Sequence, residues 1–207
     1  MVAISRMVLP VTRPLFLAVL VLLLAACAAR PPVTDSPERL FEQRLARLAA
    51  LEGWEASGRI GLRTPEESVA LSMDWVQEGG DWRLNLRGPL AAGSMRLQGG
   101  PGEVSLRTSE GVRDTGPDAR TLLVRHTGHD FPADVLRDWL MGIPSPDYDA
   151  DLDLDAYGRP ERIRQLGWDV EYQAYRGIGQ LDMPMRMDLH GPGLRVRVVV
   201  SEWNLIQ

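Results

Sequence analysis

Downstream of Ser36 the apolar positions follow two periods, about 3.6 and 2, and the switches between them divide the chain into elements. Ser36-Pro37-Glu38 reads as a helix start, with Ser as N-cap, Pro at the first helical position and an acid near the positive dipole end. Leu40, Phe41, Leu45 and Leu48 then share one face, and the helix ends by Gly53. From Trp54 the period is two, which predicts strands with one buried face. Trp54, Ala56, Ile60 and Leu62 alternate in the first strand, Val69, Leu71, Met73 and Trp75 in the second, and Trp82, Leu84 and Leu86 in the third, after a Gly79-Gly80 turn. Met95 with Leu97 and Val104 with Leu106 continue the meander on either side of a turn at 99–102.

A helical interlude follows, with Asp118 capping 119–126 and Pro132 opening a second helix whose Val135, Leu136, Trp139 and Leu140 form one stripe. Gly142 and Pro144 stop it. Period two resumes at 151–154, 163–166, 168–175, 181–189 and 194–203. An antiparallel sheet of this size must curl, and its apolar face needs a cover. The fold class expected is mainly β with α (α+β): an open or incomplete antiparallel β-barrel of roughly ten to eleven strands under a lid of about three helices. A space between lid and barrel would accept an acyl chain, and a fully packed core is the alternative. The stripes that would line it hold Leu71, Met73, Trp75, Leu84, Leu86 and Leu97 on strands and Leu136, Trp139 and Leu140 on the lid.

Upstream, an apolar run at 15–24 follows Arg6 and Arg13, and is too short for the ~30 Å of hydrocarbon that a spanning helix crosses. It ends in Leu24-Ala25-Ala26-Cys27, which resembles a bacterial lipobox. The organisation expected is a lipoprotein signal peptide at 1–26, a lipidated tether at 27–35 containing Arg30-Pro31-Pro32, and a single domain at 36–207. Either Met1 or Met7 serves as the start. A short transmembrane anchor is the other reading of the run. Cys27 is the only cysteine, so the domain relies on an apolar core without disulfides. The net charge of −5 argues against nucleic acid, which would want Lys and Arg clustered on one face.

Candidate chemistry is sparse. His126 and His129-Asp130 sit at a helix end with no third histidine nearby to complete a zinc set. Asp147, Asp149, Asp151, Asp153 and Asp155 alternate, yet no register gives the glycine and glutamate of a calcium loop, and a solvated strand face is the simpler reading. Nucleophile-elbow, Walker and dinucleotide motifs are missing, so neither an enzyme nor a cofactor is expected. Met183, Met185 and Met187 suit either core filling or an adaptable apolar surface. Leu90, inside Gly88-Pro89-Leu90-Ala91-Ala92-Gly93, is an apolar residue where a turn would be polar; it either dips into a bilayer or folds back on the sheet.

Taken together these residues resemble the LolB family of outer-membrane lipoprotein receptors. The resemblance rests on the lipobox, the strand at 54–61, Gly88-Pro89-Leu90 before Met95, Asp118-Ala119 with Leu122 and Thr127-Gly128, and above all Leu136-Arg137-Asp138-Trp139-Leu140 with Gly142 and Pro144. Gly167-Trp168 with Tyr172, and Met183-Pro184 before Trp203, complete it. It implies an open barrel with a helical lid and an apolar cavity, and acylation of Cys27. It implies a monomer that takes triacylated lipoproteins from the periplasmic carrier LolA and inserts them into outer-membrane lipid without nucleotide hydrolysis. Leu90 matches the family's exposed loop leucine, linked to release, although Ala91 stands where the family tends to have Gly. Ala28 after the lipidated cysteine agrees with delivery to the periplasmic face of the outer membrane. The runner-up is a structural or envelope-assembly lipoprotein that binds protein rather than acyl chains.

Overall fold

The computed structural model describes residues 35–89 and 93–207. The expected signal peptide, Cys27, the expected tether up to residue 34, and Leu90 lie outside the described residues. Helix α1 (Pro37–Ala49) leads into β1 (Gly53–Arg63), β2 (Ser68–Glu78), β3 (Asp81–Arg87), β4 (Ser94–Gly100), β5 (Glu103–Thr108) and β6 (Arg113–Gly116). Helices α2 (Ala119–Thr127) and α3 (Ala133–Leu140) follow, then β7 (Ala150–Leu154), β8 (Pro160–Gln165), β9 (Trp168–Ile178), β10 (Leu181–Gly191) and β11 (Leu194–Ile206).

The strands form one 11-stranded antiparallel sheet in the order β6-β5-β4-β3-β2-β1-β11-β10-β9-β8-β7. The chain lays down one wing from β1 outward, crosses through α2 and α3, and builds the other wing inward from β7 until β11 pairs with β1. β6 and β7 are left as edges, so the barrel is incomplete, as the alternation predicts.

Two details differ from the sequence reading. The short β6, Arg-Asp-Thr-Gly, carries no apolar alternation and is held by backbone pairing to β5, so no hydrophobic period announces it. Leu166, expected to end a strand, lies instead in the β8–β9 turn at φ 55, beside Gly167 at φ 75. Positive φ at both central residues is the two-residue hairpin turn whose twist matches the flanking strands.

The concave face is graded along the strands. At one end Trp54 lies 5.7 Å from Trp75 and 5.3 Å from Trp203, and Trp75 lies 5.8 Å from Trp82 (ring centroids), closing a floor of aromatic rings. At the other end, the mouth, Leu62, Val69, Leu86 and Met95 are only half-buried. Met183, Met185 and Met187 are all buried core residues. Pro184 is tolerated inside β10 because it sits at a register shift against β9, opposite Tyr175, and lies beyond the β11 ladder, which runs only over Arg186–Gly191.

Candidate functional site

The strand residues proposed to line an acyl site occupy one continuous patch. Cross-strand register sets Met73 opposite Leu86, Leu86 opposite Met95, Trp75 opposite Leu84, and Leu84 opposite Leu97. Residues directly opposite are the nearest neighbours on a sheet face, so the alternation read along each strand becomes a surface. Leu136, Trp139 and Leu140 of α3 belong to the same core. Leu97, Trp139 and Leu140 have no exposed area, and Met73, Trp75, Leu84 and Leu136 are also buried. Leu71 and Leu86 are half-buried toward the mouth. These side chains are packed in the core, so the seam is closed around them.

The lid is built as one body. Asp118 N-caps α2 by accepting from Thr121 N–H at 2.6 Å. Asp134, from the first turn of α3, accepts from the N–H groups of Ala119 and Arg120 at 2.9 and 3.3 Å, so a carboxylate of one helix satisfies the orphan donors of the other. Arg120 grips Asp130 through two bonds of 2.5 and 2.7 Å, which holds that exposed carboxyl below the usual carboxylate range.

The two lid helices meet the sheet differently. Six of the eight residues of α3 are buried, and the buried Gln165 on β8 uses its whole amide on the segment around it. Its Oε1 accepts from Trp139 Nε1 at 2.9 Å and Ser145 N–H at 3.0 Å, while Nε2 donates to the carbonyls of Ser145 at 2.9 Å and Tyr148 at 2.8 Å. Tyr172 on β9 donates its hydroxyl to the Trp139 carbonyl at 2.7 Å; burial pushes that phenol well up, so it remains a donor. Phe131 and Trp139 contact the Trp168 ring at 5.2 and 6.3 Å. In contrast, α2 buries only Ala119 and Leu122.

Leu123 packs half-buried against the core, and the polar ties of α2 to the sheet are exposed and ionic. Asp114 of β6 accepts from Arg125 at 2.6 Å and His126 at 2.9 Å, and those bonds, Arg125 first, hold its carboxyl at about 2. His129 meets Glu67 of the β1–β2 hairpin at 3.1 Å. The histidine pair thus divides between two carboxylates. Among the described residues no group of three His, Cys, Asp or Glu is placed to hold a metal ion. In the aspartate ladder, Asp153 pairs with Arg164 at 2.9 Å, and Asp155 shapes the β7–β8 turn by accepting from Tyr157 and Arg159 N–H groups.

Helix α1 braces the other wing through a buried arginine. Arg44 donates to the carbonyls of Asp182 and, at 2.7 Å, Met141, and its guanidinium lies 5.7 Å from the Tyr175 ring. It therefore joins α1, β10 and the end of α3.

A family model described as "Outer membrane lipoprotein LolB" matches residues 52–203, which contain the whole seam and both lid helices. The chain belongs to the LolB family. Among relatives, outer-membrane lipoprotein LolB of Alkalilimnicola ehrlichii is 43% identical over 185 residues, covering 89% of this chain and 92% of the relative. LolB of Halorhodospira halophila is 39% identical over 184 residues, covering 88% and 90%. A LolA superfamily protein from Nitrosomonas europaea shares the fold, with a TM-score of 0.56 at 11% identity over 84% of this chain and 95% of that one. So does a lipoprotein-sorting protein domain from Vibrio parahaemolyticus, with a TM-score of 0.57 at 11% identity over 81% and 91%. The protein is thereby an outer-membrane lipoprotein of that family.

Sequence reasoning missed Gln165, Asp134 and Arg44 as the residues that hold the lid and brace. A signal for Gln165 was present: two residues after Ile163 it occupies the core-facing register of β8, where a polar residue needs a reason. Asp134 and Arg44 carry no local signal, since first-turn acids and helix arginines are common on solvated faces.

Proposed function

We propose that this protein accepts the acyl chains of lipoproteins from the periplasmic carrier LolA, holds them between the lid and the concave sheet face, and releases them into outer-membrane lipid from the periplasmic side. The observation that carries this reading is the seam itself: a contiguous apolar patch on β2, β3 and β4 that shares one core with an amphipathic helix carrying the most specific family segment. No bond is made or broken. Cargo moves down a free-energy gradient, from a weaker apolar site in the carrier to a tighter one here and then to the bilayer.

The unequal anchoring of the lid implies a route. A buried, fully satisfied amide network resists opening more than exposed ion pairs do, because exposed pairs contribute about 0–1 kcal/mol. The lid therefore opens on the α2 side, between α2 and β5–β6, and turns about α3. Leu71 and Leu86, half-buried at the mouth, are the first apolar side chains an incoming chain meets. Cys27, acylated, anchors the receptor, and Leu90, on the β3–β4 connection, enters the bilayer during release.

Transfer of a lipoprotein from purified LolA tests this. Leu86→Glu sets a carboxylate at the mouth of the seam and should reduce acceptance at least tenfold while the variant stays folded, because burying an unpaired charge is costly. Undiminished acceptance by a folded Leu86→Glu protein would reject the seam as the acyl site.

A further inference from the structure

The outer face of the sheet carries like charges in register near the mouth. Arg63, the last residue of β1, is directly opposite Arg195 of β11. Farther out on the wing that starts at β1, Arg96 of β4 is opposite Arg107 of β5, which is opposite Arg113 of β6. Like charges directly opposite on an antiparallel pair are destabilising. Elsewhere on this face cross-strand arginines meet carboxylates: Arg197 with Asp188 at 2.6 Å, Arg164 with Asp153 at 2.9 Å, and Arg162 with Asp169 at 3.1 Å. Arg63, Arg195, Arg107 and Arg113 are exposed and make no ion pair among the described residues, and Arg96 has only the side-chain oxygen of Asn85, at 2.7 Å.

Between the β1–β2 and β10–β11 hairpins lies a groove of about 440 Å³ lined by Arg63, Thr64, Pro65, Gly191, Gly193, Leu194 and Arg195, without a carboxylate. Thr64 Oγ1 accepts from the N–H groups of Glu66 and Glu67, which leaves its own proton to donate. Glu66 and Glu110 lie in hairpin loops, outside both arginine rows. The chain as a whole is acidic, at −5, so this basic collar runs against its average.

We infer that the collar, centred on Arg63 and Arg195 with Arg96, Arg107 and Arg113 on the outer strands β4 to β6, docks the mouth end on the anionic phosphodiester headgroups of the bilayer. Charge complementarity selects the occupant. A guanidinium matches phosphate oxygens with paired donors, and a row of them beside a membrane replaces mutual repulsion by attraction to several headgroups at once. The inference deepens the proposed release step, because it aims the opening of the seam at the lipid that receives the cargo.

The test uses the mature chain with Cys27→Ala, exported behind a cleavable signal so that no acyl anchor masks the contact. Co-sedimentation is measured with vesicles of phosphatidylethanolamine alone and with one quarter phosphatidylglycerol. The protein should favour the anionic vesicles, and Arg63→Gln/Arg195→Gln should weaken that binding about thirtyfold, the loss expected for two arginines near an anionic surface. The charge-matched Arg83→Gln/Arg176→Gln, whose residues lie away from the mouth, should bind within twofold of the parent. Melting temperature should not fall in Arg63→Gln/Arg195→Gln, since a repulsion is removed.

Equal binding to both vesicle types, or equal loss in both double variants, would overturn the inference. So would a stabilisation by inorganic phosphate without vesicle preference, which marks a free-phosphate site, or loss of carrier binding with vesicle binding intact, which marks an acidic protein partner. Uptake of a fluorescent fatty acid should be unchanged in Arg63→Gln/Arg195→Gln. If the parent takes up no fatty acid yet favours anionic vesicles, the acyl-transfer reading fails and the collar stands.

Discussion

Trp139 and Gln165 are joined by a buried hydrogen bond of 2.9 Å, indole N–H to amide oxygen, across the boundary between lid helix and sheet. Gln165 satisfies four partners there, two on each end of its amide. Replacing it by leucine keeps the bulk and strands those donors and acceptors. Gln165→Leu should therefore lose about 3–5 kcal/mol in urea denaturation, at roughly 1–3 kcal/mol for each stranded buried group, offset in part by added apolar burial. A loss under about 1 kcal/mol would show that the network does not hold α3.

Asp134 makes the two lid helices move as a unit. Asp134→Ala removes the acceptor from the N–H groups of Ala119 and Arg120 and should cost about 1–2 kcal/mol, as loss of a helix cap does. Hydrogen exchange should quicken in α2 while α3, held by Gln165 and Tyr172, keeps its protection. Equal deprotection of both helices would mean that the α2 side is not the weaker one.

Acid should reproduce that asymmetry. The Asp114 carboxyl is held at about 2, against an ordinary 3.8, by Arg125 and His126. A carboxyl whose folded value lies below its unfolded value supports the fold fully above the unfolded value, and the support is lost as pH falls through the folded one. Between pH 3.8 and about 2, protection of α2 should drop before that of α3, whose ties to Gln165 do not titrate in acid. Simultaneous loss of protection would contradict this.

The sheet and lid were legible in the alternation because most core-facing strand positions between Trp54 and Trp203 are apolar and spaced by two, and because Asp118 and Gly142 punctuate the helices. The apolar lining was legible for the same reason, since Met73, Leu86 and Met95 fall in register once their strands pair. What holds the lid was not. Gln165 and Trp139 are 26 residues apart, and Arg44 reaches a carbonyl 97 residues away; contacts over such separations depend on wing curvature that no local pattern encodes.

Leu90 tests the release step. Leu90→Glu should change the melting temperature little, because exposed substitutions stay within about ±0.5 kcal/mol, while a core leucine would cost several. The variant should accept cargo from LolA and fail to deliver it to liposomes, since a carboxylate resists entering the apolar layer. A marked fall in stability, or normal delivery, would remove Leu90 from the mechanism.

The claim on which the rest depends is that acyl chains lie between lid and sheet. The most direct measurement is to photolyse a diazirine-bearing fatty acid bound to the wild-type protein and map the adducts by mass spectrometry. The account predicts adducts on Leu71, Met73, Leu86, Leu136 and Leu140. Adducts confined to the outer face, or to the apolar groove of about 470 Å³ beside Leu51, Ile178 and Leu205, would contradict it.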